Sequence, residues 1–284
     1  MGKIEHVSDT ALMVAAIRAI ENDRPDGLIR DPFASLLAGE KGMSIARAAS
    51  ALEWMCLGLG GRTRFIDELI LRVLNETSVR TVVNLGAGLD TRPWRMDLPD
   101  DLRWIEVDFP AMLDYKASRL AGRQPRCRLE RMPADVSSPA ERARILDAVG
   151  KSPALMITEG LLMYLSRQTV SALASEPLDR SGVRWWIFDL SAIGLMRRSH
   201  GDIVQAIEAV RAEDHLDAAQ ILEVALAARW KAAAFRSYAR DIAALAWERV
   251  ARIMQSAGTP ADPPQSNDPS GIYLLEYTEI SRPA

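Results

Sequence analysis

Two glycines one residue apart, Gly86 and Gly88 with Ala87 between them, follow the short apolar run Thr81–Leu85 and lead into Asp90, Thr91, Arg92 and Pro93. Apolar run, tight turn and helix start is the order in which a buried strand hands over to a helix. Glycines in such a turn let the backbone approach a ligand closely, and the free N–H groups of the next helix attract an acceptor. Acids recur where the following apolar runs end: Glu106 and Asp108, the latter twenty positions after Gly88, then Asp135, then Glu159. A glycine turn followed by an acid at the end of the next strand binds a ribose through its hydroxyls. These residues therefore suit a ligand that contains a nucleoside.

Two ligand classes use that arrangement. A nicotinamide or flavin dinucleotide wants a third glycine for the pyrophosphate turn, and here Thr91 takes that place, followed by Arg92 and Pro93. Asp90, inside the loop, would repel a pyrophosphate. S-adenosylmethionine carries no phosphate but a cationic sulfonium and an ammonium group, so an acid-rich glycine turn suits it better.

The elements that must position these residues alternate. Strand patterns are expected at Val82–Leu85, Trp104–Asp108, Cys127–Met132, Ala154–Thr158 and Val183–Phe188, with helical patterns between them at about 109–121, 138–149 and 167–176. Such alternation implies βαβ units with right-handed crossovers, a parallel sheet and the doubly wound, Rossmann-like α/β class. Ligands then bind beyond the carboxyl ends of the strands, where the strand order reverses. Adjacent Trp185 and Trp186 are expected on opposite faces of a sheet. The first eighty residues read as helical: one helix capped by Ser8 or Asp9, a second opened by Asp31-Pro32, and a third beginning after Gly60 and Gly61 with Phe65, Ile66, Leu69, Ile70, Val73 and Leu74 on one stripe and Asp67 off it. Residues 195–230 also read as helix, including Ala218–Leu226 and Ala227–Trp230. Lys231–Tyr238 reads as a strand, Asp241–Ser256 as a helix, Thr259–Ser270 with its four prolines as a loop, and Ile272–Ile280 as a last strand. The organisation expected is a helical cap over 1–78 and a sheet domain over 79–284 with a helical insertion at about 195–230, forming one structural unit.

Composition excludes several classes. With 284 residues, 48% hydrophobic and 26% charged, the chain is that of an ordered globular protein, and a net charge of −3 argues against nucleic acid as a partner. Cys56 and Cys127 are too few for a disulfide framework and fit a reducing compartment. Ala11–Ile20 is short, is interrupted by Arg18 and lacks a secretion-signal pattern, so no membrane segment and a cytoplasmic location are expected. His6, His200 and His215 lie too far apart to suggest a metal site, and no Gly-x-Ser-x-Gly supports a covalent mechanism.

VVNLGAGLDTRPWR, WIEVDFP and ITEGLLMYL, in that order and spacing, resemble the leucine carboxyl methyltransferase family, which includes protein phosphatase methyltransferases and bacterial O-methyltransferases of polyketide pathways. SDTALMVAAIRAIEN with IRDPFA, and GRTRFIDELI, agree with it. The resemblance covers roughly residues 8–190 and implies a class I methyltransferase sheet. It also implies roles by position: Arg62 on the carboxylate of the methyl donor, Gly86, Ala87 and Gly88 under its methionine part, with Asp90 in the same loop, and Asp108 on its ribose. Asp135 with Val136 would lie near the adenine, Glu159 near the donor's amino end, and Tyr164 close to the transferred methyl. The family's protein-phosphatase branch also uses a lysine near the N-terminus. None stands between Ser8 and Arg18, which leaves Arg18 as the available substitute.

The activity expected is methyl transfer from S-adenosylmethionine to a carboxylate of a small molecule or peptide. A carboxylate is ionised at neutral pH and needs no strong base, and none stands out. A dinucleotide-dependent oxidoreductase and a non-catalytic ligand-binding protein remain as alternatives. The sequence names neither the acceptor nor the oligomeric state.

Overall fold

A computed structural model describes residues 7–49, 52–190, 211–256 and 269–278. Seven strands form one sheet: β1 Thr81–Leu85, β2 Arg103–Asp108, β3 Arg128–Pro133, β4 Ala154–Thr158, β5 Val183–Leu190, β6 Lys231–Ser237 and β7 Gly271–Glu276. Their spatial order is β3-β2-β1-β4-β5-β7-β6. β1 to β5 pair in parallel, whereas β7 is antiparallel to both of its neighbours. The chain steps outward from β1 to β3 and then restarts on the other side of β1 at β4. The strand order reverses between β1 and β4.

Adjacent residues of each strand serve opposite faces, as the pleat requires. Val83, Met156 and Trp186 join one core with α6 (Pro139–Val149), α7 (Arg167–Arg180) and α8 (Ala218–Ala227). Val82, Leu155 and Ile157 join the other with α3 (Leu52–Glu76), and Trp185 packs there, so the two tryptophans do alternate. A third cluster gathers α1 (Val7–Asp23), α2 (Ala34–Ala48), the first turns of α3, Leu89, and Trp94 of the short α4 (Arg92–Arg95). The remaining helices among the described residues are α5 (Pro110–Arg119), α9 (Tyr238–Leu245) and α10 (Trp247–Ser256). Among the described residues no helix is long and apolar enough to cross a membrane.

Several boundaries differ from the sequence expectation. α3 does not start after Gly60 and Gly61 but runs through them, because neighbours press against both positions. A Cβ on Gly61 would lie 2.6 Å from Ile242 Cδ1, and one on Gly60 3.0 Å from Glu21 Oε1. α1 begins at Val7, so Asp9 lies in its first turn, facing Lys41 at 2.5 Å, where a negative charge suits the helix N-terminus. α2 starts at Ala34 rather than Pro32, although Asp31 Oδ1 accepts the Phe33 N–H. The helix expected through Trp230 stops at Ala227; Arg229 turns with φ 74° and sends Trp230 into the core, its Nε1 donating to Ala174 O at 2.8 Å. The single helix expected over Asp241–Ser256 is broken at Ala246 (φ −139°) into α9 and α10. That break lets Arg249 reach Glu21 of α1 with two hydrogen bonds, 2.7 and 2.8 Å, both side chains buried. Residues 195–210, most of the Thr259–Ser270 loop and the end of the last expected strand lie outside the described residues.

Candidate functional site

The carboxyl ends of β1 and β4 flank the point where the strand order reverses, and the polar residues gather there. Gly86 (φ +65°) and Gly88 (φ +45°) follow β1 in the left-handed region, which a side chain rarely adopts. Packing reinforces the choice at Gly86, where a Cβ would meet Leu161 at 2.9 Å. Ala87 N donates to Val107 O at 3.0 Å, which joins the turn to β2.

Asp108 closes β2. Its Oδ2 accepts the Gly88 N–H and its Oδ1 the Phe109 N–H, each at 2.7 Å. Burial pushes its carboxyl pKa up against those two hydrogen bonds. Each oxygen has a second lone pair left for a ligand hydroxyl. Phe109, directly beside it, leaves 53% of its surface exposed. After β3, the Asp135 side chain accepts from Ser137 N at 2.8 Å while its own N–H donates to Glu141, and the adjacent Val136 side chain is buried.

Asp90 turns inward. Its Oδ1 accepts the Arg92 N–H at 2.9 Å, and its Oδ2 accepts from Asn84 Nδ2 at 2.8 Å and Arg92 Nη1 at 3.0 Å. Burial opposes its ionisation, but the Arg92 guanidinium holds its carboxyl well below the usual range. Both oxygens of Asp90 are thus engaged within the loop and its neighbours.

Arg92, the first residue of α4, is buried as a hub. Besides Asp90, it reaches Asp67 Oδ1 through Nε at 2.6 Å and Glu159 Oε2 through Nη1 at 2.7 Å. Arg95 binds the same Asp67 with two hydrogen bonds, at 2.6 and 2.9 Å. Arg64, by contrast, makes a surface pair with Glu68. Glu159, one residue past β4, is thus bridged by two arginines, since Arg62 Nε of α3 lies 2.9 Å from its Oε1. Burial would raise the Glu159 pKa, yet Arg92 and Arg62 hold it down at about 2. Arg62 Nη1 also lies 3.3 Å from Asp189 Oδ2, and its buried Nε has no acceptor in hydrogen-bonding line. Asp189 and Tyr238, which donates to it at 3.4 Å, were missed by the sequence reading. The rule that singled out Asp108, an acid at the end of a strand, applies equally to Asp189 on β5.

The N-terminal helices hold the loop from outside. Arg18 Nη2 donates to Leu89 O at 2.5 Å and its Nε pairs with Asp31 at 3.1 Å. Asp31 also accepts the Thr91 hydroxyl at 2.8 Å, so the residue in place of a third glycine is tied to the chain before α2. A Cβ on Gly88 would stand 3.9 Å from Ala11. Tyr164, on the 3₁₀ turn Leu162–Tyr164, shares a hydrogen bond with Thr10 of α1, and burial raises its hydroxyl pKa. The structure therefore brings Arg62, the glycine turn and Glu159 to one edge of the sheet, with Tyr164 on the turn that follows. Asp108 and Asp135 follow β2 and β3 along that edge.

Among the described residues no group of three His, Cys, Asp or Glu side chains could hold a metal ion. His6 and His200 lie outside the described residues, and His215 faces Ala212 O through Nδ1 at 2.7 Å. Both cysteines are free and buried, their thiol pKa values pushed up to about 12 by burial.

The family model described as Leucine carboxyl methyltransferase matches residues 11–176. A Streptomyces avermitilis protein named as a candidate S-adenosyl-L-methionine-dependent methyltransferase is 38% identical over 175 residues, 58% of this chain and 62% of that protein, so the match spans less than two thirds of its length. A Frankia alni protein of the same description is 37% identical over 207 residues, covering 68% of this chain and 72% of its own. Among solved structures, a DUF574-family protein from Streptomyces avermitilis superposes with a TM-score of 0.57 over 93% of this chain and 97% of its own; at 13% identity it shares the fold.

Proposed function

Since the chain belongs to the leucine carboxyl methyltransferase family, we propose that it is an S-adenosylmethionine-dependent O-methyltransferase whose acceptor is a carboxylate of a small molecule or peptide, as in secondary pathways such as polyketide synthesis. The observation that carries the reading is Asp108 held against the Gly88 N–H, with a free lone pair on each oxygen, next to a left-handed glycine turn. That is a cradle for a ribose and the chain attached to it.

The residues present fit the donor. Asp108 would accept the ribose hydroxyls, the exposed Phe109 would be available to the adenine, and Asp135 with Val136 would border it. Gly86 to Gly88 would lie under the methionine portion. Arg62, whose buried Nε lacks an aligned acceptor, would grip the carboxylate, and Glu159 the ammonium. When bound, the donor supplies a methyl group made electrophilic by its sulfonium. The protein has to align the acceptor oxygen with that methyl and keep water away. A carboxylate acceptor is already ionised, so no proton need be removed. Tyr164, its pKa raised, stays protonated and serves as a hydrogen-bond donor rather than a base. Helices α1 to α3 would cap the site, with Thr10, Ala11 and Arg18 reaching the loop and Tyr164, while α3 shares the core of the sheet.

Calorimetric titration with S-adenosylhomocysteine, followed by incubation with labelled donor and a panel of carboxylic acids, tests this. Binding, together with a methyl group released as methanol by mild base, is expected. Tight NAD(P)H binding without a response to S-adenosylhomocysteine would overturn it, and a base-stable methyl product would overturn the carboxylate.

A further inference from the structure

Asp189 stands at the penultimate position of β5, and its side chain is almost wholly buried. Separate parts of the fold converge on it. The Gly160 N–H, from the turn after β4, donates to its Oδ1 at 2.5 Å; Arg62 of α3 approaches its Oδ2 at 3.3 Å; and the Tyr238 hydroxyl, at the start of α9, donates to the same oxygen at 3.4 Å. Burial and the neighbouring carboxylate hold that hydroxyl protonated, so it remains a donor.

The turn it supports is the one that carries Glu159. Gly160 has φ +64°, and a Cβ there would come within 3.4 Å of Arg62 Nη1, so the guanidinium lies along this piece of backbone. Glu159 and Asp189 therefore share one arginine. Without Asp189, the whole fork of Arg62 would be free to close on Glu159 in a bidentate pair, the geometry such pairs prefer. With Asp189 drawing Nη1 the other way, Arg62 is held open, neither carboxylate saturates it, and Glu159 keeps capacity for a cation.

We propose that Asp189 is a positioning residue that sets Arg62 and the Glu159–Gly160 turn to receive the zwitterionic amino-acid end of the methyl donor. This rests on the donor-binding reading given above. Asp189 acts through Arg62 and the Gly160 N–H rather than on the donor itself.

The test compares two ligands by calorimetry on the full chain: S-adenosylhomocysteine, and 5′-methylthioadenosine, which keeps the adenosine and the sulfur but lacks the amino-acid end. Asp189→Asn retains an acceptor for Gly160 while removing the charge that holds Arg62. The expected result is a loss of about tenfold in affinity for S-adenosylhomocysteine, the scale of one charge-assisted hydrogen bond, with methylthioadenosine changed less than about twofold. Tyr238→Phe, which removes a single hydroxyl and keeps the ring, is expected to shift the ratio the same way by a smaller factor and serves if the asparagine variant does not fold. In an Arg62→Lys background, Asp189→Asn should add nothing further, because the two act as one unit. Equal loss for both ligands would make Asp189 a general structural support and overturn the proposal, as would an unchanged preference in the asparagine variant. A wild-type chain that binds neither ligand would overturn the donor reading itself.

Discussion

Arg92 Nη1 lies 2.7 Å from Glu159 Oε2 and 3.0 Å from Asp90 Oδ2, in a side chain with 1% of its surface exposed. One guanidinium thus joins the turn after β1 to the turn after β4, across the point where the strand order reverses, and its Nε fastens both to Asp67 of α3. Replacing it with leucine would take the guanidinium from Asp90 and leave Asp67 with Arg95 and Glu159 with Arg62 in a buried layer. Arg92→Leu is expected to lower unfolding stability by about 3–5 kcal/mol, the range for breaking one side of a buried ion pair. Arg92→Lys should recover only part, since an ammonium cannot span three partners as a planar fork does. Urea denaturation of the two variants decides it, and a loss below about 1 kcal/mol for leucine would show the hub to be dispensable.

The ribose assignment can be examined without turnover. Asp108→Ala removes the acceptor and also frees the Gly88 and Phe109 N–H groups, so S-adenosylhomocysteine affinity should fall by about 10- to 100-fold, the scale of one or two hydrogen bonds to a charged group. Phe109→Ala should weaken adenosine-containing ligands as a class by several-fold, roughly the worth of one ring contact, and leave the folded state untouched because that ring is exposed. An unchanged dissociation constant in the Asp108 variant would remove this residue from the site.

Acid should loosen the same layer. Glu159 has its pKa lowered from the ordinary carboxylate value of 4.5 to about 2: burial opposes ionisation, but Arg92 and Arg62 outweigh it. A group whose folded pKa is depressed contributes stability that is fully present above its unfolded pKa and is lost as pH falls through the folded one. Stability should therefore decline between about pH 4.5 and pH 2, and Asp90, shifted in the same direction, adds to the decline. Asp108 and Glu106, whose pKa values burial raises, contribute with the opposite sign. Comparison of wild type with Glu159→Gln isolates the term: the variant should start less stable at pH 6 and lose less between pH 4.5 and 2. Parallel curves for the two proteins would refute the assignment.

Tyr164 separates two roles for a hydroxyl. If it steadies the reacting groups while protonated, Tyr164→Phe should lower kcat with little change in S-adenosylhomocysteine affinity, and the wild-type rate should be flat from pH 7 to 9, below the raised phenol pKa. A rate that climbs with a phenol-like pKa, and loses that climb in the phenylalanine variant, would make it a base and point to a protonated acceptor.

Much of this was readable in the chain. All seven strands were anticipated to within a few residues, because the shift from helical stripes to short apolar runs at residue 80 is a local signal. The acids that end those runs were found by the same logic. The interior charges were not. Asp67 stands off an apolar stripe, and nothing in the local sequence separates Arg95, which is buried against Asp67, from Arg64, which lies on the surface. Gly60 and Gly61 resembled a helix start, and only the closeness of Glu21 and Ile242 explains why a helix keeps them in its middle.

Sequence alone determined the alternation of strand and helix, the glycine turn, the spacing to Asp108 and the family. Each of these depends on neighbours within about twenty positions or on the order of short motifs. Tertiary structure decided which charge meets which. Arg92 and Glu159 are 67 residues apart, Arg62 and Asp189 are 127, and Glu21 and Arg249 are 228. Those pairs exist because β4 returns beside β1 and β5 beside β4, and because α3 and α10 pack against the same layer. A carboxylate takes its partner from that packing, since once buried its ionisation depends on whatever cation the fold brings within reach.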